Sequence, residues 1–489
     1  MSTDFTIGLD LGTTTIKAVA ATVDGEVLAI TSATYALHTP HPGWAEQHAD
    51  EVWQGAVTAL KALVPRLPAS GLRGLSLSGA MHSVLPVSAE GAPLAPALTW
   101  ADQRPAAYLS AARAATQPRQ LYARTGCPLQ AIYHIPKLRW WQAQPAAGAE
   151  RAALYVMLKD YVVFRLTGRW ASDLSLASTT GLLNMQSLGW DAEALALAGV
   201  EAERLPPLCA PTDVVGGLTD EAAQATGLPA GLPIVAGGSD GALANLGAGV
   251  VAPGQMIITI GTSGAVRRIV PAPWCDDAER TWCYLLTGER WFVGGAINNG
   301  GLTLQWAHDT YYGSDPGDGY AILMREAARV PAGADGVRLL PYFTGERSPH
   351  WNAEATAALL GLRLSHTRAH IARAALEGVA FCLADVWQAL RAAGPPPATV
   401  SLSGGILRSP LWAQIVADVL GVELTALEAT DASALGAARL AHAALGQPEA
   451  LDSAPHAAIG EVRYAPDPER HALYQAEHAE FQALYQKLF

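Results

Sequence analysis

The sequence predicts an α/β chain folded as two similar lobes. Three observations predict it. Short apolar strand-like runs alternate with amphipathic helical patterns from end to end. A strand, Gly-Thr turn, strand unit occurs twice, about 250 residues apart, at Ile7–Ala21 and Met256–Val266. The 489 residues are 50% hydrophobic and only 16% charged, with 47 glycines, a composition suited to tightly packed layers around a large core.

Taken in order, Ile7-Gly8-Leu9-Asp10-Leu11-Gly12 alternates with period two. It passes through Thr13-Thr14 into a second run, Thr15 to Ala21, closed by Val23-Asp24-Gly25-Glu26, which predicts a β-hairpin. Helical patterns follow at Ala49–Leu63, Ala106–Ala115, Pro136–Gln144 and Lys159–Leu166, with strand-like stretches at Gly74–Ser78 and Ser83–Val87. Leu232 to Ala236 is an apolar run that enters Gly-Gly-Ser-Asp240-Gly and then a short helical segment. The lobe boundary falls in the Gly- and Pro-containing stretch Gly247–Gly254, giving lobes of residues 1–248 and 249–489. The second lobe repeats the hairpin from Met256. It continues as helix Gly300–His308, strand Gly336–Pro341, the long helix His370–Arg391, a break at Pro395–Pro397, strand Thr399–Ser403 and helix Pro410–Leu420.

Several function classes are excluded. A net charge of −12, from 32 basic and 44 acidic residues, argues against nucleic acid or an anionic membrane as partner. Cys127, Cys209, Cys275, Cys283 and Cys382 are scattered without C-x-x-C spacing, so neither a zinc site nor a disulfide framework is indicated and a reducing, cytoplasmic setting fits. The N-terminus has no basic region of a signal peptide, and the most apolar long stretch, Val235–Ile260, carries Asp240, Asn245 and several glycines, which is not a membrane span.

Three glycine-rich turns and one carboxylate carry the chemistry. In Asp10-Leu-Gly12-Thr13-Thr14-Thr a tight turn can aim backbone N–H groups and hydroxyls at phosphate oxygens, while Asp10 reaches a magnesium ion. The same residues also make a plain hairpin turn. Ile260-Gly261-Thr262-Ser263-Gly264 is a second candidate phosphate turn, without the lysine or the spacing of a P-loop. Ser403-Gly404-Gly405-Ile406-Leu407-Arg408-Ser409 lets the backbone pass close to a flat ligand such as adenine, although paired glycines before a helix also serve simple packing. Asp240 stands where a phosphotransferase could keep a general base, and Gly-Ser-Asp-Gly is equally ordinary turn chemistry.

With these turns in hand, the chain resembles the FGGY carbohydrate kinase family within the actin-like ATPase superfamily, over essentially all of residues 5–445. The motifs that carry the resemblance begin with Asp10-Leu-Gly-Thr-Thr, Pro42-Gly-Trp-Ala-Glu-Gln, Ala-Met81-His82-Ser, Thr-Trp100-Ala-Asp102-Gln-Arg104 and Lys137-Leu-Arg-Trp140. They continue with Gly-Gly-Ser-Asp240-Gly, Thr-Ile-Gly-Thr262-Ser-Gly, and Ala357-Ala-Leu-Leu-Gly361-Leu followed seven residues later by His370-Ile-Ala-Arg-Ala-Ala-Leu-Glu377-Gly. The resemblance implies two ribonuclease-H-like lobes, the first mainly binding sugar and the second mainly nucleotide, with sugar, ATP and Mg2+ meeting in the cleft between them. It implies Asp240 as catalytic base, and Asp10 and Asp240 at the metal. It puts Gly12, Thr13 and Thr14 at the first phosphate turn, Gly261 and Thr262 at the second, and Gly301, Gln305, Gly404, Gly405 and Ser409 at the nucleotide. Lobe closure is expected to exclude water, with weak ATP hydrolysis in the absence of sugar.

Within the family the features resemble gluconokinases more than xylulokinases or glycerol kinases. They are Ala80-Met81-His82-Ser83, Thr99-Trp-Ala-Asp102, Ser175–Asn184, Ile297-Asn298-Asn299-Gly300-Gly301 and Tyr342-Phe-Thr-Gly-Glu346-Arg347-Ser-Pro-His-Trp351-Asn. Thr179, where that pattern commonly has Ala, and the looser stretch Tyr133–Lys137 depart from it. The expected reaction is ATP-dependent phosphorylation of D-gluconate on its primary hydroxyl, with D-xylulose as the alternative substrate and a non-catalytic nucleotide or sugar sensor as the distant one. Met81, His82, Trp100, Asp102, Arg104, Asn298 and Asn299 are the expected sugar contacts beside Asp240. A sugar acid needs a cation for its carboxylate, since a buried unpaired carboxylate is prohibitively costly; Arg104, His82 and Lys159 are the candidates, in that order. The partners are then a small-molecule sugar or sugar acid and ATP, and a homodimer is allowed.

Overall fold

Each lobe is built on one sheet in which an antiparallel run that starts from the first strand is extended on that strand's other side by two parallel strands. A computed structural model describes residues 4–144, 151–313, 318–428, 431–452 and 462–489. The first sheet comprises β1 (Phe5–Leu11), β2 (Thr15–Thr22), β3 (Val27–Thr34), β4 (Leu72–Gly79), β5 (Val214–Gly217) and β6 (Pro233–Ser239), in the spatial order β5-β6-β4-β1-β2-β3. The second comprises β7 (Gln255–Ile260), β8 (Gly264–Val270), β9 (Trp282–Thr287), β10 (Arg290–Ile297), β11 (Thr399–Gly404), β12 (Leu424–Ala426) and β13 (Arg463–Tyr464), in the order β9-β10-β8-β7-β11-β12-β13. Superposing the two orders pairs β1 with β7, β2 with β8, β3 with β10, β4 with β11 and β6 with β12. The repeat seen in sequence is therefore a repeat of topology.

The central strands are buried on both faces because helices cover both. Phe5, Ile7, Leu9 and Leu11 of β1 pack with Val52, Ala56, Leu60 and Leu63 of α1 (Ala49–Leu63) and with Tyr161, Val162 and Leu166 of α2 (Leu158–Thr167). The second core gathers Ile258, Ile260 and Leu402 of the sheet with the long helix Arg368–Leu390 and the helix Pro410–Leu420. Both helices were legible. The second starts at Ser409, whose side chain accepts from Trp412 N, with Pro410 at the first helical position, and stops at left-handed Gly421.

Sequence patterning departs from the structure where burial is complete on all sides. The helix Ala432–Ala444 shows no apolar stripe because it is wedged between the first sheet and the helix Asp240–Gly247. Thr6 Oγ1 donates to Ala438 O at 2.7 Å and Arg439 Nη1 to Leu246 O at 2.7 Å, so a segment from the second half of the chain completes the first lobe. The expected helix 106–115 begins as a 3-10 turn, Arg104–Tyr108, before α-helix Leu109–Ala114. The C-terminal helix Pro468–Leu488 and strands β9 and β10 also escape the periodicity reading. Among the described residues no helix is long and apolar enough to cross a membrane.

Candidate active site

Strand register brings the chemistry to one edge. Leu11 pairs with Gly79 across β1 and β4, and Gly79 with Ser239 across β4 and β6, so Asp10, Met81-His82 and Asp240 all leave the sheet at neighbouring strand ends. In the second lobe Ile260 pairs with Gly404 in parallel, which sets Gly261 beside Gly405. Ligand sites of open α/β sheets lie at such carboxyl edges. The strand ends of both lobes face one cleft.

Asp10 Oδ1 accepts a 2.6 Å bond from Ser78 Oγ, its register partner on β4. Burial pushes the Asp10 carboxyl up to about 7; the Ser78 bond opposes this, and the negative charge of Asp240 adds to it. Asp240 opens the helix Asp240–Gly247, and its Oδ1 accepts from Gly241 N at 2.7 Å. Burial raises its carboxyl to about 6 against the pull of that N–H and of the Arg267 guanidinium. Asp10 lines a cavity with Lys17, Thr259, Arg267, Ser403 and Gly404 and feels the negative charge of Asp240; two such half-buried carboxylates offer the hard oxygen donors that suit a magnesium ion.

The two Gly-Thr turns are held differently. Gly12 O accepts from the Tyr35 hydroxyl and Thr13 O from Gln47 Nε2, so the first turn is pinned from behind. Trp100 Nε1 donates to Thr13 Oγ1 at 3.2 Å, while Thr14 stays exposed. The second turn is welded to the helix Gly301–Tyr311. Gly301 N donates to Gly261 O at 2.7 Å, and Gly300 N and Leu302 N both donate to Thr262 O at 3.1 Å. A Cβ on Gly301 would lie 2.6 Å from Gly261 O, so only glycine allows this approach. Gln305, one turn further, is exposed on that helix. Gly404 has φ +94 and its Cβ would meet Ile260 O at 2.5 Å, so it too must be glycine.

The sugar side of the cleft is a pocket between the lobes. Met81, His82, Tyr133 and Gly241 line it from the first lobe, and Arg267, Trp282, Tyr284, Arg347 and Trp351 from the second. His82 takes a left-handed backbone, φ 68, fixed by Lys137 Nζ donating to its carbonyl and to Thr99 O. Its Nδ1 meets Thr179 O at 2.9 Å, and burial, reinforced by the charge of Lys137, holds the imidazole neutral. Tyr133 and Tyr284 share a 2.8 Å hydroxyl contact in the wall.

Several sequence-predicted contacts have other duties. Arg104 bonds Asp102 and Glu46 and stacks against Trp44 and Trp140 at 3.8 and 4.6 Å, so neither Arg104 nor Asp102 lines the pocket and Arg104 is already neutralised. Lys159 is buried and ion-paired with Asp173 at 2.6 Å. Asn298 Nδ2 donates to Thr344 O at 2.9 Å and Asn299 Nδ2 to Gly345 O at 3.0 Å, so both amides hold the loop that carries Arg347. The Ser409 hydroxyl caps a helix, accepting from Trp412 N at 3.3 Å and donating to Met324 Sδ at 3.1 Å. Conversely, Arg267 and Arg347 line the pocket and were not among the expected contacts. The Arg267-Arg268 pair in the otherwise apolar stretch Ala265–Val270 was the available signal for Arg267.

The chain is similar to known carbohydrate kinases over nearly its whole length. The chain is 35% identical over 459 residues to a gluconokinase of Bacillus subtilis, covering 92% of this chain and 90% of that one. It is 32% identical to a xylulose kinase of Escherichia coli, covering 99% of each. The crystal structure of gluconate kinase from Lactobacillus acidophilus superposes with a TM-score of 0.94 at 30% identity, covering 100% of this chain and 98% of the other. The N-terminal domain of the FGGY family of carbohydrate kinases matches residues 5–247 and the C-terminal domain residues 256–445. The chain belongs to the FGGY family of carbohydrate kinases and is an ATP-dependent sugar kinase.

Proposed function

We propose that this kinase phosphorylates the primary hydroxyl of D-gluconate to give 6-phosphogluconate, with Asp240 as general base. The observation that carries the reading is the position of Asp240. It follows β6 at the strand edge shared with Asp10, and its neighbour Gly241 lines the pocket of Met81 and His82. A carboxylate raised to about 6 is largely ionised at neutral pH, yet basic enough to take the hydroxyl proton as the new P–O bond forms. Phosphoryl transfer asks mainly for positioning and charge neutralisation, which the Gly12–Thr13 and Gly261–Thr262 turns, Gly301 and Gly404 supply for the nucleotide. Asp10 and Asp240 would hold magnesium, which when bound neutralises the phosphate oxygens.

Gluconate over D-xylulose is supported by the likeness to gluconokinases and by a pocket lined by two guanidinium groups, those of Arg267 and Arg347. The xylulose reading rests on an almost equal likeness to xylulose kinases. ADP release measured with gluconate, xylulose, ribulose and glycerol separates them: kcat/KM highest for gluconate supports the reading, and xylulose turned over far better than gluconate overturns it.

A further inference from the structure

We infer that Arg267 and Arg347 together form the receptor for the substrate's carboxylate, so that this pocket selects sugar acids over neutral polyols of the same length. The inference rests on the gluconate reading above and names the residues that make it work. It replaces the three cations that sequence alone suggested, since Arg104 and Lys159 are neutralised within the protein and His82 is held neutral.

Arg347 is a half-buried cation that lines the pocket. Its Nη2 donates to Ile297 O at 3.3 Å, its Nε is buried without a hydrogen-bond partner, and it makes no ion pair among the described residues. The adjacent Glu346 does not neutralise it, because burial raises that carboxyl to about 8, and Tyr133 and Tyr284 remain neutral phenols. Arg267 is similar. Its Nη2 is tied to Thr259 Oγ1 at 2.7 Å, its Nε is buried and unpartnered, and burial lowers it to about 10 with Asp240 as the one opposing charge. Two desolvated guanidiniums in one pocket are costly unless an anion joins them, and a carboxylate accepts from such forks with charge-assisted bonds. The Asn298 and Asn299 amides, by holding the Thr344–Gly345 backbone, keep Arg347 in place.

The test compares D-gluconate with D-glucitol, which replaces the carboxylate by a hydroxymethyl group, in calorimetric binding and in turnover with ATP. Wild-type protein is expected to bind gluconate at least ~30-fold more tightly than glucitol, and Arg347→Met and Arg267→Met are each expected to remove most of that ratio. Arg347→Lys keeps charge without the fork and serves if Arg347→Met does not fold; it is expected to lose part of the ratio. Folded variants that retain the wild-type ratio overturn the inference alone. A wild type that ignores gluconate and turns over xylulose overturns the substrate reading, and the inference with it.

Discussion

Arg267 donates from Nη2 to Thr259 Oγ1 at 2.7 Å, and Thr259 Oγ1 meets Ser403 Oγ at 3.0 Å. This chain fixes one guanidinium in the wall between the pocket of Met81 and His82 and the cavity of Asp10. Its charge also restrains the pKa of Asp240, so the residue proposed to orient the acid also acts on the proposed base.

The contact between Gly301 N and Gly261 O leaves no space for a side chain. Gly301→Ala is expected to push the Gly261–Ser263 turn off its helix and raise the KM for ATP by about tenfold or more, since small displacements of positioning groups are costly. The KM for the sugar should change far less. Steady-state kinetics with each substrate varied in turn checks both.

Lys159 and Asp173 form a buried ion pair at 2.6 Å, and Lys159 Nζ also donates to Ala236 O on β6. Lys159→Met strands a buried carboxylate and is expected to cost about 3–5 kcal/mol of stability, as broken buried pairs do. Urea denaturation measures it. Wild-type stability in that variant would contradict the structural role.

Glu346 supplies a pH dependence. Burial raises its carboxyl from 4.5 to about 8, ahead of the opposing bond from Arg347 N. The folded state therefore holds a proton that the unfolded chain has released, so this contribution is complete below 4.5 and is lost as pH rises toward 8. Stability should fall across that window, by on the order of a few kcal/mol at most, and the fall should be smaller in Glu346→Gln. Melting temperatures of both proteins across the window give the comparison.

Tyr474 anchors the C-terminal helix Pro468–Leu488, donating to Glu377 Oε1 at 2.8 Å and accepting from Arg373 Nη2 at 2.6 Å. Tyr474→Phe leaves both partners under-satisfied in a buried site and should cost about 1–3 kcal/mol. Calorimetric unfolding of the variant checks it.

The parts of the molecule legible in sequence are those governed by local rules. The helix Pro410–Leu420 has its cap, proline and terminal glycine in the chain order that physics requires, and the Asp10 hairpin follows from period-two alternation. The roles of charged residues were not legible, because pairing is tertiary. Arg104 is held by Glu46, from a distant stretch of chain, as well as by the nearby Asp102, and Lys159 is ion-paired with Asp173, beyond the end of its helix. Arg267 and Arg347 lie far apart in sequence, and only folding shows that they line one pocket.

The central claim is that Asp240 takes the proton. Single-turnover phosphoryl transfer by Asp240→Asn, measured alongside calorimetric binding of gluconate and ATP, tests it most directly. The account predicts transfer reduced by at least about 10²–10⁴-fold, the range general-base catalysis supplies, with both ligands still bound. Transfer at the wild-type rate in a variant that binds both would contradict it.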